Sequence, residues 1–208
     1  MKIKLILMKL LPLTLVALLF FNFACNKPLG YKPVIYKTYT LSANDISLAL
    51  LNHPRFSLEY PSEFSLVDLD LPNPPGEGAM PKVIGMSMVE FTYLPADAEL
   101  NVTIADPILV KTSIDDQITE ANRIGTNVTI KKIMISGIEA NYIEYTDSHF
   151  LVYSEKTAHK SVRTAIFEYS GLVWSILLVW HYPEHENEPA VLNEYFSHVI
   201  DTFTILNN

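Results

Sequence analysis

Cysteine is nearly absent. Cys25 is the single thiol in 208 residues, so no disulfide can form within the chain, and stability has to come from a packed core. Cysteine proteolysis, dithiol exchange and thiolate zinc sites are excluded for any domain that follows it. Glycine is scarce as well. Seven glycines leave little room for a glycine-rich phosphate loop, and neither G-x-S-x-G nor H-E-x-x-H occurs. Positive charge is in deficit, with 15 Lys and Arg against 23 Asp and Glu and a formal net charge of −8. Such an acidic chain is a poor candidate for nonspecific binding to nucleic acid or anionic lipid. The composition, 49% apolar and 18% charged, is that of a globular protein, and the length suits one domain of ordinary size.

The one long apolar run lies at the start. Lys2, Lys4 and Lys9 precede an apolar stretch over residues 10–21, and Ala24 stands just before Cys25. These are the three parts of an export signal, and the run is too short for a membrane-spanning helix. The segment Phe21-Asn22-Phe23-Ala24-Cys25 resembles a lipobox. Ala24 fits it, whereas Asn22 replaces the usual Leu and Phe23 is bulky. The expected product is a lipoprotein with a signal peptide over residues 1–24 and Cys25 as the lipid attachment site. A diacylglyceryl group, with palmitate-type chains, anchors stably where one chain would not. Loss of three lysines with the signal leaves the mature chain still more acidic. The expected location is the cell envelope, on the outer face of the cytoplasmic membrane or on the outer membrane. Two other readings remain open: cleavage by an ordinary signal peptidase, and an uncleaved anchor.

Residues 25–41 read as a tether, with Pro28, Gly30 and Pro33 and no helical period, and residues 42–208 as a single domain. Residues 44–52 are ambiguous between strand and capped helix. Phe56, Leu58 and Tyr60 alternate with polar residues up to Pro61, which predicts a half-buried strand. Residues 71–82 are a proline-rich loop. Residues 83–94 predict a strand in which the apolar face switches between Met88 and Val89, the mark of a bulge or of burial on both sides. A short strand follows at residues 102–105. Ser113 with Asp116 three residues on predicts a helix start, Ile114, Ile118 and Ala121 share its inner face, and Gly125 stops it. Ser136-Gly137 and Ser170-Gly171 predict tight turns of two hairpins. The strand over residues 172–180 is almost wholly apolar and predicts a central position with both faces covered. Val191, Leu192, Tyr195, Phe196, Val199 and Ile200 give a closing amphipathic helix, with Pro189 in its first turn. Residues 202–206 end the chain as a short strand or tail. The order predicts an α+β fold: a mainly antiparallel sheet with the C-terminal helix packed on it.

The segment Phe56-Ser57-Leu58-Glu59-Tyr60-Pro61-Ser62-Glu63-Phe64 resembles the F-x-x-x-Y-P-x-x-[WF] opening of the PsbP-like domain family. Residues 167–176, Phe-Glu-Tyr-Ser-Gly-Leu-Val-Trp-Ser-Ile, resemble the family's central hairpin, and a helix ending in Phe203-Thr204-Ile205 follows. The resemblance spans residues 42–206 and implies an α-β-α sandwich with a central antiparallel sheet. It implies no catalytic residues, since the family has no general catalytic motif. Plant members assist photosystem II, and bacterial relatives occur as lipoproteins. The long proline-rich loop after Phe64 departs from the compact pattern.

Few side chains combine for chemistry. His181-Tyr182-Pro183-Glu184-His185-Glu186 brings two imidazoles and two carboxylates near one another, and His181, Glu184 and His185 form a candidate metal set. Pro183 prevents a helical i,i+4 pair there, and a polar loop explains the segment equally. Asp115, Asp116 and Glu120 suit a capped helix start better than a calcium or acid–base site. Trp174 and Trp180 share one strand face, which is core packing before it is ligand stacking. Asn101 and Asn127 open N-x-T patterns, treated as chance. The leading expectation is therefore a non-catalytic binding or assembly module without a cofactor. Its partners would be membrane lipid, through acylated Cys25, and a protein at the cell surface, with no nucleic acid. The alternatives are an extracytoplasmic hydrolase-like enzyme using the His181 region and a small-solute-binding lipoprotein.

Overall fold

The computed structural model describes residues 34–41, 54–67, 86–93, 97–151, 156–183 and 190–206. The signal segment, Cys25, the ambiguous residues 44–52 and the proline-rich loop lie outside the described residues. Residues 35–208 form one compact unit.

The described residues form two antiparallel sheets. The smaller has the order β1-β2-β10, from Tyr36–Thr40, Arg55–Pro61 and Thr204–Leu206. The larger has the order β3-β4-β5-β9-β8-β7-β6. Its strands are Ser65–Leu66, Met86–Tyr93, Ala98–Ala105, Thr126–Ile135, Ile138–Leu151, Lys156–Tyr169 and Leu172–Pro183, for β3 to β9. The helices among the described residues are α1 (Pro107–Val110), α2 (Ile114–Ile124) and α3 (Val191–Thr202). The class is α+β, and the C-terminal helix packs on the sheet.

Each hairpin follows from its turn. Ser136 and Gly137 have φ of 50° and 81°, and Ser170 and Gly171 have 53° and 75°. Two successive positive φ angles give a two-residue turn whose twist matches the flanking strands. The registers close accordingly on Ile135 opposite Ile138 and on Tyr169 opposite Leu172. Strand β9 lies between β5 and β8, in the middle of its sheet. Trp174, Ile176, Leu178 and Trp180 are buried on one face, and Val173 and Val179 on the other.

The two longer helices cover opposite faces. Ile143 joins Ala121, Ile166 and Val173 in a cluster beneath α2, with Ile114 and Ile118 against it. Tyr142, the adjacent residue on β7 and so on the opposite face, meets Phe196 of α3 with ring centroids 5.8 Å apart. On that face Trp174 is fully buried among Phe56, Phe167 and Phe203. The small sheet thus packs its aromatic side over β9.

Three local expectations change. Residues 36–40, read as tether, form β1 and pair with β2 in continuous register from Tyr36 opposite Pro61 to Thr40 opposite Ser57. Strand β4 has no bulge: it pairs with β5 without interruption, and Ser87, Val89 and Phe91 face the core. Met86 and Met88 are half-buried on the outer face, and buried Ser87 continues the inner face of Val89 and Phe91. Strand β5 begins at Ala98 rather than Val102. Gly125 stops α2 as expected, in an extended conformation with φ −81° and ψ 149°, and its N–H donates to Ala121 O at 2.8 Å.

Candidate functional site

A polar cleft lies between α3 and strands β6, β7 and β8. Its volume is about 390 Å³, within the range of small-ligand sites. Tyr142, Phe196 and Ile200 form apolar wall, and Lys131, Glu144, Asn193, Ser197 and Asp201 supply polar groups.

Arg163 lies at the base of this cleft. The strand order places it there. β8 is the hairpin partner of central β9, and Arg163 stands opposite Leu178 on the face that also carries Phe167 and Ala165. Its side chain is 2% exposed. A guanidinium taken out of water needs partners for its fork of N–H groups. Nε donates to Asn193 Oδ1 at 3.0 Å, Nη1 to Ser161 Oγ at 2.9 Å, and Nη2 lies 3.2 Å from Glu144 Oε1. The Tyr142 hydroxyl donates to Glu144 Oε2 at 2.8 Å, which fixes the carboxylate from its other oxygen. Lys131 Nζ sits 4.6 Å from the centre of the Tyr142 ring, a cation–π contact at the open rim. The result is a polar floor of Arg163 and Glu144 held by their partners, with Lys131 and Asp201 as exposed charges beside it, set against apolar wall.

The opposite side of α3 is clipped to the small sheet. His198 Nε2 is 2.7 Å from Glu59 Oε2, and its ring stacks on Tyr36. Thr202 Oγ1 accepts from Glu59 N at 3.1 Å. The Tyr195 hydroxyl donates to Glu63 Oε2 at 2.9 Å, and burial, then this bond to a carboxylate, holds the phenol well above its usual range. These bonds set the position of α3 and hence the width of the cleft.

The residues singled out in the sequence are dispersed. His181 lies near the end of β9 opposite Lys160, with its N–H donating to Asp97 O at 3.2 Å. Glu184 and His185 lie outside the described residues, as does Cys25. Among the described residues no group of three or more His, Cys, Asp or Glu is placed to hold a metal. Asp116 and Ser113 form a cap, with Asp116 N donating to Ser113 Oγ at 3.1 Å and Ser113 Oγ donating to Asp116 Oδ2 at 2.7 Å. Glu120 pairs with Arg123 on the exposed face, which holds its carboxyl below the ordinary range. No helix among the described residues is long and apolar enough to cross a membrane.

Sequence reasoning missed Arg163. A signal existed: Ser161, Arg163, Ala165 and Phe167 share one face of a strand whose hairpin partner is central, so a charge at that position has to be buried and paired.

The chain matches no family model and no curated protein sequence. Solved structures with some likeness include one from Bacteroides thetaiotaomicron, at 10% identity and a TM-score of 0.43. It aligns over 83% of this chain, and this chain spans about half of it, 49%. Another is LpqN of Mycobacterium tuberculosis, described as involved in cell envelope biogenesis, at 14% identity and a TM-score of 0.40. That alignment covers 83% of this chain and 92% of LpqN.

Proposed function

We propose that this protein is a lipid-anchored envelope protein whose folded domain is a PsbP-like binding module, and that the cleft over Arg163 is its binding site. The lysine-led apolar segment ending at Cys25 supports export and anchoring. The observation that carries the site is the Arg163 network. A buried guanidinium held by Glu144, Asn193 and Ser161 gives a floor whose polar groups do not have to reorganise when a ligand arrives. Preorganisation of this kind lowers the ordering cost of binding. The apolar wall of Tyr142, Phe196 and Ile200 supplies area to bury.

The test is site-specific photo-crosslinking in the native host. A benzophenone amino acid replaces Ser197, which is exposed and lines the cleft. The expected result is one discrete adduct in intact membranes, lost when Asn193→Trp fills the cleft. Absence of any adduct, or one indifferent to Asn193→Trp, would count against the site.

A further inference from the structure

The larger sheet ends on two very different strands. β3 has two residues and β6 has ten. Among the described residues β6 pairs with β7 alone. Its side chains are mostly exposed, with Ile130 at 40% and Met134 at 63%. The two-residue turn at Ser136-Gly137 makes Ile135 and Ile138 a pair that exchanges both main-chain bonds, and bonding then alternates along the strands. Counting back, Ile130, Lys132 and Met134 turn their N–H and C=O groups away from β7. Such a row is a template for another strand. The cleft begins at the same edge, since Lys131, Ile133 and Met134 line it.

We propose that β6 receives an extended, acidic segment of a partner polypeptide by strand addition, with alternate side chains of the added strand lying over the cleft. The inference rests on the binding-module reading and names its ligand class. Main-chain bonds along an edge supply affinity, and a pocket beside the edge supplies selection among side chains. Charge selects the acidic partner. β6 carries Lys131 and Lys132 and no acidic residue; exposed Lys132 lies 2.9 Å from Glu139 of β7, a surface pair open to exchange, and the chain as a whole has a net charge of −8. Exposed Ile130 and Met134 offer cross-strand apolar partners to alternate residues of the added strand.

A second copy of this chain fits the edge less well. Antiparallel pairing of β6 with β6 centred on Lys132 would set the Lys132 side chains of the two copies directly opposite one another, and like charges across a strand pair are destabilising. Edge lysines also guard sheets against indiscriminate pairing. An acidic strand turns that guard into a selection rule.

The test uses the mature chain without its lipid and a fluorescent ten-residue peptide of alternating Glu and Val, titrated by fluorescence anisotropy. The expected result is saturable binding, weaker at high salt. Binding should fall at least tenfold with Ile130→Pro, which deletes an outward N–H and leaves the β7 bonds in place. The same loss is expected for the unaltered protein with a peptide N-methylated at alternate residues, which separates strand addition from any folding defect of the variant. Lys131→Glu with Lys132→Glu should reverse the preference toward a Lys-Val peptide. No saturable binding would overturn the proposal, as would binding indifferent to both Ile130→Pro and N-methylation. A concentration-dependent dimer abolished by Ile130→Pro would assign the edge to a second copy instead. A discrete adduct from position 197 without peptide binding sinks strand addition alone, whereas the loss of both brings down the binding reading as well.

Discussion

The Arg163 guanidinium lies 3.2 Å from the Glu144 carboxylate, yet the arginine side chain is 2% exposed and the glutamate 34%. The two partners therefore stand in different solvents. Removing Glu144 leaves an almost fully buried cation without its carboxylate, while removing Arg163 leaves a carboxylate that can rehydrate.

Glu144→Ala should accordingly cost more stability than Arg163→Met. Breaking a buried pair typically costs about 3–5 kcal/mol. The bonds from Arg163 to Asn193 and Ser161 and the partial exposure of Glu144 reduce that to about 2 kcal/mol. Urea unfolding of both variants checks the order, and a larger loss for Arg163→Met would contradict the account of the network.

Gly125 closes α2 with no room for a side chain. A Cβ there would lie 2.6 Å from Ala121 O and 2.8 Å from Tyr145 Cβ, so backbone would have to move. Gly125→Ala should destabilise by about 1–3 kcal/mol, as overpacking does. At Gly137 a Cβ would meet nothing within 4 Å, and the only obstacle is its φ of 81°. Gly137→Ala should therefore cost about 1 kcal/mol, from the left-handed conformation alone. Thermal melts of the two variants separate crowding from strain.

Burial, then the nearby Glu99 carboxylate, raises the Glu90 carboxyl above its ordinary 4.5. The folded state then holds a proton more tightly than the unfolded chain does. Stability from this group is highest in acid and is lost as pH rises through 4.5 toward the folded value. Glu90→Gln should raise Tm at pH 7 and leave it unchanged at pH 3. An equal gain at both pH values would show that charge is not the cause.

Legibility in the sequence followed the range of the interaction. The Ser136-Gly137 and Ser170-Gly171 turns, the Ser113 cap and the stripe from Leu192 to Ile200 are local patterns, and the structure has them. The all-apolar run of β9 fixed its central place because both faces needed cover. Strand β1 was hidden, since Tyr-Lys-Thr-Tyr-Thr has no apolar alternation and becomes a strand only against β2. Arg163 was hidden for the same reason. Its partners Glu144 and Asn193 lie on β7 and α3, far along the chain, and only the sheet order brings them together. The metal set at His181, Glu184 and His185 rested on proximity in sequence, which places His181 on β9 and says nothing of a third ligand in space.

The envelope assignment turns on Cys25, and intact mass spectrometry of the protein extracted from native membranes tests it most directly. The account predicts a chain beginning at Cys25 and carrying diacylglyceryl mass, with that mass absent from a Cys25→Ser variant. An unmodified chain cut elsewhere would contradict the anchor and make the domain a freely diffusing binding protein.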